Sequence, residues 1–147
     1  NTDDTIPIGT AAVRRTGADI TLVSYGKTVH ACLAAAEQLA MRNVAAEVID
    51  LRTIKPLDEA TILRSVRKTG RMIAVHEASR TCGVGAELAA LVSEHAFDAL
   101  RAPVVRLTGP DAPAAASHPL EQAYAPQAEA IEAAAVKLMA AQAATTA

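Results

Sequence analysis

Glu47-Val48-Ile49-Asp50-Leu51-Arg52-Thr53-Ile54-Lys55-Pro56-Leu57-Asp58 is the stretch that decides the fold. It begins as a strand with aliphatic side chains on both faces, turns through charged residues, and ends at a helix entrance, where Asp58 can accept the unpaired amides of a first helical turn. Working outward, the same grammar recurs. Ile20 to Ser24, Ala46 to Leu51, Met72 to Val75 and Val104 to Leu107 are short aliphatic runs of the kind that strands covered on both faces require. Between them lie segments with helical periodicity. Val29, Leu33, Ala36 and Ala40 mark the first, and Ile62 and Val66 the second, which Gly70 can end with Arg67 and Lys68 beside its C-terminal dipole. Leu88, Leu91, Val92 and Ala99 stripe the third, and Ile131, Ala135, Leu138 and Met139 the last. Alternating strands and helices imply right-handed crossovers and a three-layer α/β/α domain with a mainly parallel sheet. Gly9 to Arg15, turning back at Thr16-Gly17-Ala18-Asp19, predicts one antiparallel edge strand. Pro110 to Pro126 holds Pro110, Pro113, Pro119 and Pro126 with little periodicity and reads as a long loop. Residues 1–5 read as a flexible linker, 6–140 as one domain, and 141–147 as a frayed tail.

Composition narrows the function classes. The 147 residues suit one domain able to bury a core without disulfides. Hydrophobic residues reach 51% but aromatic ones only 2%, so the core must be aliphatic and rich in Ala, and no stacking platform for bases or sugars can be assembled. With 14 basic against 16 acidic residues, dispersed along the chain, nothing attracts a phosphate backbone, and nucleic-acid binding is not expected. Cys32 and Cys82 form no C-x-x-C pair and stand in no zinc-spaced cluster, which fits a reducing compartment and gives a structural metal no support. No apolar run is long enough to span a bilayer, and Asn1-Thr2-Asp3-Asp4 is neither basic nor apolar, so no membrane partner and no signal peptide is expected. The lack of an initiator Met fits an excised or processed domain.

Three local patterns could carry chemistry. Gly26-Lys27-Thr28 has the end of a phosphate-binding loop, but the glycine such a loop needs earlier is replaced by Thr21, inside a strand, so a tight turn is the better reading. Gly83-Val84-Gly85 precedes a helix whose amides could hold an anion with help from Arg80, although the position of a third fingerprint glycine is Leu88. His76-Glu77 closes the third parallel strand at the sheet edge where ligands gather, and a His and a carboxylate there could exchange protons near neutral pH. Neighbouring strand residues point to opposite faces, however, and no nucleophile or metal triad accompanies the pair, so hydrogen bonding or an interface is expected. The candidate ligand or interface set at this edge is Tyr25, His30, Arg52, His76, Glu77, Arg80, Gly85 and Asp111, with Asp50 on a neighbouring loop. His95 reads as a packing residue, His118 as exposed, and Glu129 and Glu132 as a solvated helix face that could receive a basic partner.

Together with Ala18-Asp19-Ile20-Thr21-Leu22-Val23-Ser24-Tyr25-Gly26 and His76-Glu77-Ala78-Ser79-Arg80-Thr81-Cys82-Gly83-Val84-Gly85-Ala86-Glu87, the opening stretch resembles one family, over about residues 6–140. That family is the C-terminal domain of thiamine-diphosphate-dependent 2-oxo acid dehydrogenase β subunits, of pyruvate, branched-chain or acetoin type, which has the transketolase C-terminal fold. Leu51-Arg52-Thr53 and Thr108-Gly109-Pro110-Asp111 favour this branch over the deoxyxylulose-phosphate synthases and transketolase proper.

The resemblance implies a parent enzyme that decarboxylates a 2-oxo acid on thiamine diphosphate with Mg²⁺ and passes the acyl group to a lipoyl arm. It implies neither a cofactor nor a catalytic residue on this chain. Implied partners are a second β subunit across a two-fold axis, an α subunit, and the subunit-binding domain of the acyltransferase. The implied compartment is the cytoplasm, or the mitochondrial matrix in a eukaryote. Arg101 stands before Ala102-Pro103, where relatives often have an acidic residue, and would repel an Arg-rich binding domain. Arg101, Glu129 and Glu132 are therefore the residues to follow on a docking surface. Ala114 to His118 lacks the Pro-aromatic anchor of relatives, which predicts a weaker, more mobile loop contact. The sequence thus sets an assembly domain, inactive alone, against a regulatory domain that binds a small anion at the sheet edge. A free-standing enzyme finds no nucleophile or metal set to support it.

Overall fold

The computed structural model describes residues 5–113 and 116–143. Its elements run β1 (Ala12–Arg15), β2 (Ile20–Ser24), α1 (Thr28–Ala40), β3 (Ala46–Asp50), α2 (Glu59–Thr69), β4 (Met72–Ser79), α3 (Val84–His95), a short 3-10 turn (Phe97–Ala99), β5 (Val105–Gly109), α4 (His118–Tyr124) and α5 (Ala128–Ala143). The strands form one five-stranded sheet in the order β1-β3-β2-β4-β5, in which β1 is antiparallel to β3 and the other pairings are parallel. The expected three-layer architecture with an antiparallel edge strand is present. The edge strand lies against β3 rather than against β2, the strand that follows it in sequence.

Alternation along the strands splits the core in two. Ile20, Leu22, Val48, Ile73 and Val75 face α1 and α5, while Val23, Ile49, Met72 and Ala74 face α2 and α3. Small residues let the first layer close: Cys32, Ala35, Ala36 and Leu39 of α1 pack with Ile131, Ala135 and Leu138 of α5. The buried stripe of α1 therefore runs through Cys32, Ala35 and Leu39, and Ala40, expected on it, is exposed. Ala99 is likewise off the α3 stripe, because α3 ends at His95 and the chain re-forms as the 3-10 turn.

Helix α2 follows its signals closely. Asp58 Oδ1 accepts the Thr61 amide at 3.1 Å, and Gly70 ends the helix in the left-handed region at φ 70°. Beneath it, Thr21 Oγ1 shares hydrogen bonds of 2.7 Å with both Ser65 and Thr69, so the buried hydroxyls of this face are satisfied within the core.

Pro110 to Pro126 is not one long loop. Ser117 and Pro119 open α4, and the Tyr124 hydroxyl donates to the carbonyls of Ala112 at 2.9 Å and Pro110 at 3.3 Å, folding the helix back on the turn after β5. Ala114 and Ala115 lie outside the described residues, as do residues 1–4 of the expected linker and 144–147 of the expected tail. Helix α5 continues through Ala143, into the stretch expected to fray.

Candidate functional site

The β2-to-β3 connection, α1, covers one face of the sheet, and the later crossovers, α2 and α3, cover the other. The chain therefore reverses its winding between β2 and β4, and open α/β sheets form their ligand crevice at such a switch. Here two side chains of the chain itself meet. The ring of Tyr25, just after β2, stacks on the ring of His76 in β4 with centroids 6.0 Å apart and planes inclined by 21°.

His76 is 1% exposed, and both of its ring nitrogens are engaged. Nε2 accepts the Gly85 amide in the first turn of α3 at 3.0 Å, and Nδ1 lies 3.1 Å from the Ala78 carbonyl, which fixes the proton on Nδ1. Burial lowers the pKa of His76, the nearby charge of Arg106 lowers it further, and the bond to Ala78 only partly opposes them. A neutral imidazole held this way is a structural clamp between β4 and α3. Gly85 leaves room for this contact, since a Cβ there would come within 2.7 Å of Nε2; a Cβ on Gly83 would meet the Ser79 carbonyl at 2.2 Å before His76 Cε1 at 2.8 Å. The Gly85 amide, a candidate for an anion, is thus taken by His76.

The other candidates disperse. Glu77 is exposed, where β4 runs beyond its covered part, and its charge adds to burial in raising the pKa of the Tyr25 phenol. Arg52 is exposed at φ 59°, beside β3, with its amide on Asp50 Oδ1 at 3.1 Å. His30 lies on the exposed side of α1, lining a cleft with Lys27 and Glu129. Thr28, from the Gly26-Lys27-Thr28 turn, gives its hydroxyl to the Tyr25 carbonyl at 3.0 Å and pairs with Ser24 at 2.8 Å, so this turn serves the helix entrance.

Asp111 and Arg80 do meet. The Asp111 carboxylate takes the Thr81 amide at 2.9 Å and the Thr81 hydroxyl at 2.8 Å, and these donors, with the Arg80 amide and charge, hold its pKa below the usual carboxylate range. Two residues absent from the sequence-derived set join them. Arg106 of β5 and Arg80 exchange bonds to each other's carbonyls, at 3.0 and 3.3 Å, and Tyr124 lines the same cleft. The signal for Arg106 was available: it is a cation in the middle of a run otherwise expected to be covered.

On the prospective docking surface, Arg101 is exposed, with its side-chain stem laid over Gly70. Glu132 is engaged by Arg42 at 2.6 Å, whereas Glu129 is exposed. His95 is exposed rather than packed, with Nε2 3.8 Å from Glu94; the side chain of His118 lies outside the described residues. Among the described residues there is no group of His, Cys, Asp or Glu that could hold a metal ion, and no helix is long and apolar enough to cross a membrane.

A doubly wound, mainly parallel sheet with an antiparallel edge strand, covered by helices on both faces, defines a class of three-layer α/β domain. Within that class, the chain belongs to the family "Transketolase, C-terminal domain", whose model matches residues 9–131. It is 47% identical over 118 residues to the mitochondrial pyruvate dehydrogenase E1 component subunit beta of Dictyostelium discoideum, covering 80% of this chain and 33% of that protein. It is 49% identical over 121 residues to the 2-oxoisovalerate dehydrogenase subunit beta of Pseudomonas aeruginosa, covering 82% and 33%. Among solved structures, a split-gene transketolase described as an inactive beta4 tetramer superposes with a TM-score of 0.82 at 30% identity, covering 95% of this chain and 45% of that one. The chain spans about a third of the length of these curated relatives.

Proposed function

We propose that this chain is the C-terminal assembly domain of a 2-oxo acid dehydrogenase β subunit: it joins two β subunits, contributes to contact with the α subunit and an acyltransferase subunit-binding domain, and does no chemistry alone. The observation that carries this reading is the match of four fifths of the chain to one third of a dehydrogenase β subunit. Two further features support it. Phe97 is 73% and Leu120 62% exposed, apolar side chains of the kind interfaces cover. The solved neighbour at 30% identity is described as a tetramer of β chains.

In this reading the parent enzyme decarboxylates a 2-oxo acid and transfers the acyl group to lipoyl arms, with thiamine diphosphate and Mg²⁺ held elsewhere in the parent. The Gly85 amide is taken by His76 and the Thr28 hydroxyl by Ser24 and Tyr25, which supports placing the diphosphate in the rest of the parent. Arg101 makes docking of an Arg-rich binding domain weaker than an acidic residue there would. Sedimentation velocity over a range of concentrations, with and without an acyltransferase subunit-binding domain, tests the proposal. A dimer that gains mass with the partner is expected. A chain that stays monomeric and ignores the partner would remove assembly as the role of these residues.

A further inference from the structure

Beside the Tyr25–His76 stack lies a second concavity. It is a cleft of about 630 Å³ between the end of β5, the turn after it, and the junction of α4 with α5. Arg80 and Arg106 stand on one side of it; Leu107, Ala123, Pro126 and Ala130 give it an apolar wall. The Tyr124 hydroxyl, bonded to the carbonyls of Pro110 and Ala112, fixes α4 as the opposite rim.

The electrostatics of this cleft are unbalanced. Each guanidinium spends one nitrogen on the other residue's backbone carbonyl, which ties both side chains to the wall of the cleft and leaves their remaining N–H donors unassigned by these bonds. Neither makes an ion pair among the described residues. Asp111, the carboxylate on the same cleft, has its oxygens committed to Thr81, although its charge is still felt by Arg80. Arg106 is half-buried in β5, and its charge reaches far enough inward to bear on His76. Both cations line one cleft, and a rigid fork of N–H donors matches a carboxylate or phosphate in shape as well as sign.

We propose that the cleft between β5 and the α4–α5 junction is a binding site for a small organic anion, its carboxylate or phosphate head gripped by Arg106 and Arg80 and its short apolar tail laid against Leu107, Ala123 and Ala130. This inference goes beyond assembly and does not depend on it, because the cleft lies within one copy of the chain. It also moves ligand binding away from His76 and Gly85, whose groups are bonded to each other.

The test is an NMR titration of the 147-residue chain, following the Nε–H signals of its arginines at constant ionic strength with inorganic phosphate, acetate and butanoate as probes. Millimolar binding by at least one probe is expected, moving the Arg80 and Arg106 signals and leaving that of Arg14, on the far edge strand, in place. Butanoate is expected to bind more tightly than acetate, because of the apolar wall. Preference for phosphate over both carboxylates would identify a phosphate ester as the ligand class, and the reverse order a carboxylate. Arg80→Gln, on an exposed residue, and Arg106→Gln are each expected to weaken binding by about tenfold or more. Circular dichroism of each variant establishes that it is folded. Three results would overturn the site: no movement of either signal at about 50 mM probe, where millimolar binding saturates; unchanged affinity in folded Arg80→Gln; or an equal loss in Arg14→Gln.

Discussion

At the scale of single residues, His76 links fold and solution behaviour. Its neutral ring must accept the Gly85 amide, so protonation places a hydrogen on Nε2 opposite another N–H at the positive end of α3. The folded-state pKa is lowered, so the unfolded chain binds this proton more readily. The contribution of His76 is then complete above the unfolded value of about 6.5 and is lost as pH falls through it toward the folded-state value. Urea midpoints measured at about pH 7.5 and 5.5 should fall in the wild type and change less in His76→Asn; parallel curves would show that the clamp does not titrate. Gly85→Ala should cost about 2 kcal/mol by forcing the ring aside, and much less in a chain already carrying His76→Ala, a coupling that a double-mutant cycle reads directly. The cysteines divide by the same logic of burial. Cys32 is fully buried with its thiol pushed up to about 12 by desolvation, which a bond from Ser24 only partly offsets, whereas Cys82 is exposed. A thiol reagent at neutral pH should therefore modify Cys82 alone until denaturant is added. Rapid labelling of both in the native chain would show that α1 opens.

At the scale of elements, α2 shows how one carboxylate serves two segments. Asp58 caps the helix through Thr61 and also accepts the Ala11 amide at 3.0 Å, tying the strand entering β1 to the turn after β3. Burial alone would raise its pKa, but these donors and the charge of Arg64 outweigh burial and hold it low. The stability it supplies is thus fully present above the unfolded value of about 3.9 and is lost as pH falls below it through the lower folded-state value. Asp58→Ala should cost about 2 kcal/mol in urea unfolding at neutral pH, a cap plus a lost tether; a cost near zero would mean that water replaces both. This helix was legible in the sequence because its signals are local: Asp58, Ile62, Val66 and Gly70 fall at the spacing a helix imposes. The parallel strands were legible for a similar reason, since a sheet covered on both faces leaves no polar alternation in Ile20 to Ser24 or Met72 to Val75. What stayed hidden depends on distant partners. Nothing local to Ala12–Arg15 says that its neighbour is β3, and α4 is short and Pro-flanked, held by a Tyr124 bond to carbonyls many residues earlier. The candidate site was hidden in the same way. His76 was found as a titratable group at the correct edge, but its commitment to Gly85 is a tertiary fact. Arg106 was passed over because it sits within a strand.

At the scale of the whole molecule, the sheet separates two apolar layers while joining them mechanically. Leu39 and Ile131 belong to one layer, Ile62 and Val92 to the other, yet consecutive residues of the same strand, Leu22 and Val23 or Ile73 and Ala74, supply both. A helix pair cannot leave one face without exposing strands that the other face needs, so the domain should unfold as a unit despite its divided core. Leu39→Ala and Ile62→Val probe the two layers separately, with expected costs of about 3 and 1 kcal/mol. Because no side chain is shared, the double variant should lose the sum to within about 0.5 kcal/mol, with a single transition and an unchanged slope in urea. Far-UV circular dichroism suits this measurement, since the chain has no Trp. Two separate transitions, or a shallower slope in either single variant, would show instead that one helical layer can melt while the sheet survives on the other. In that event the α1–α5 layer is the candidate to yield first: Ala35, Ala36 and Ala135 stand among its buried helix positions, where each removes less surface from water than Ile62, Val66, Leu88 or Val92 does on α2 and α3.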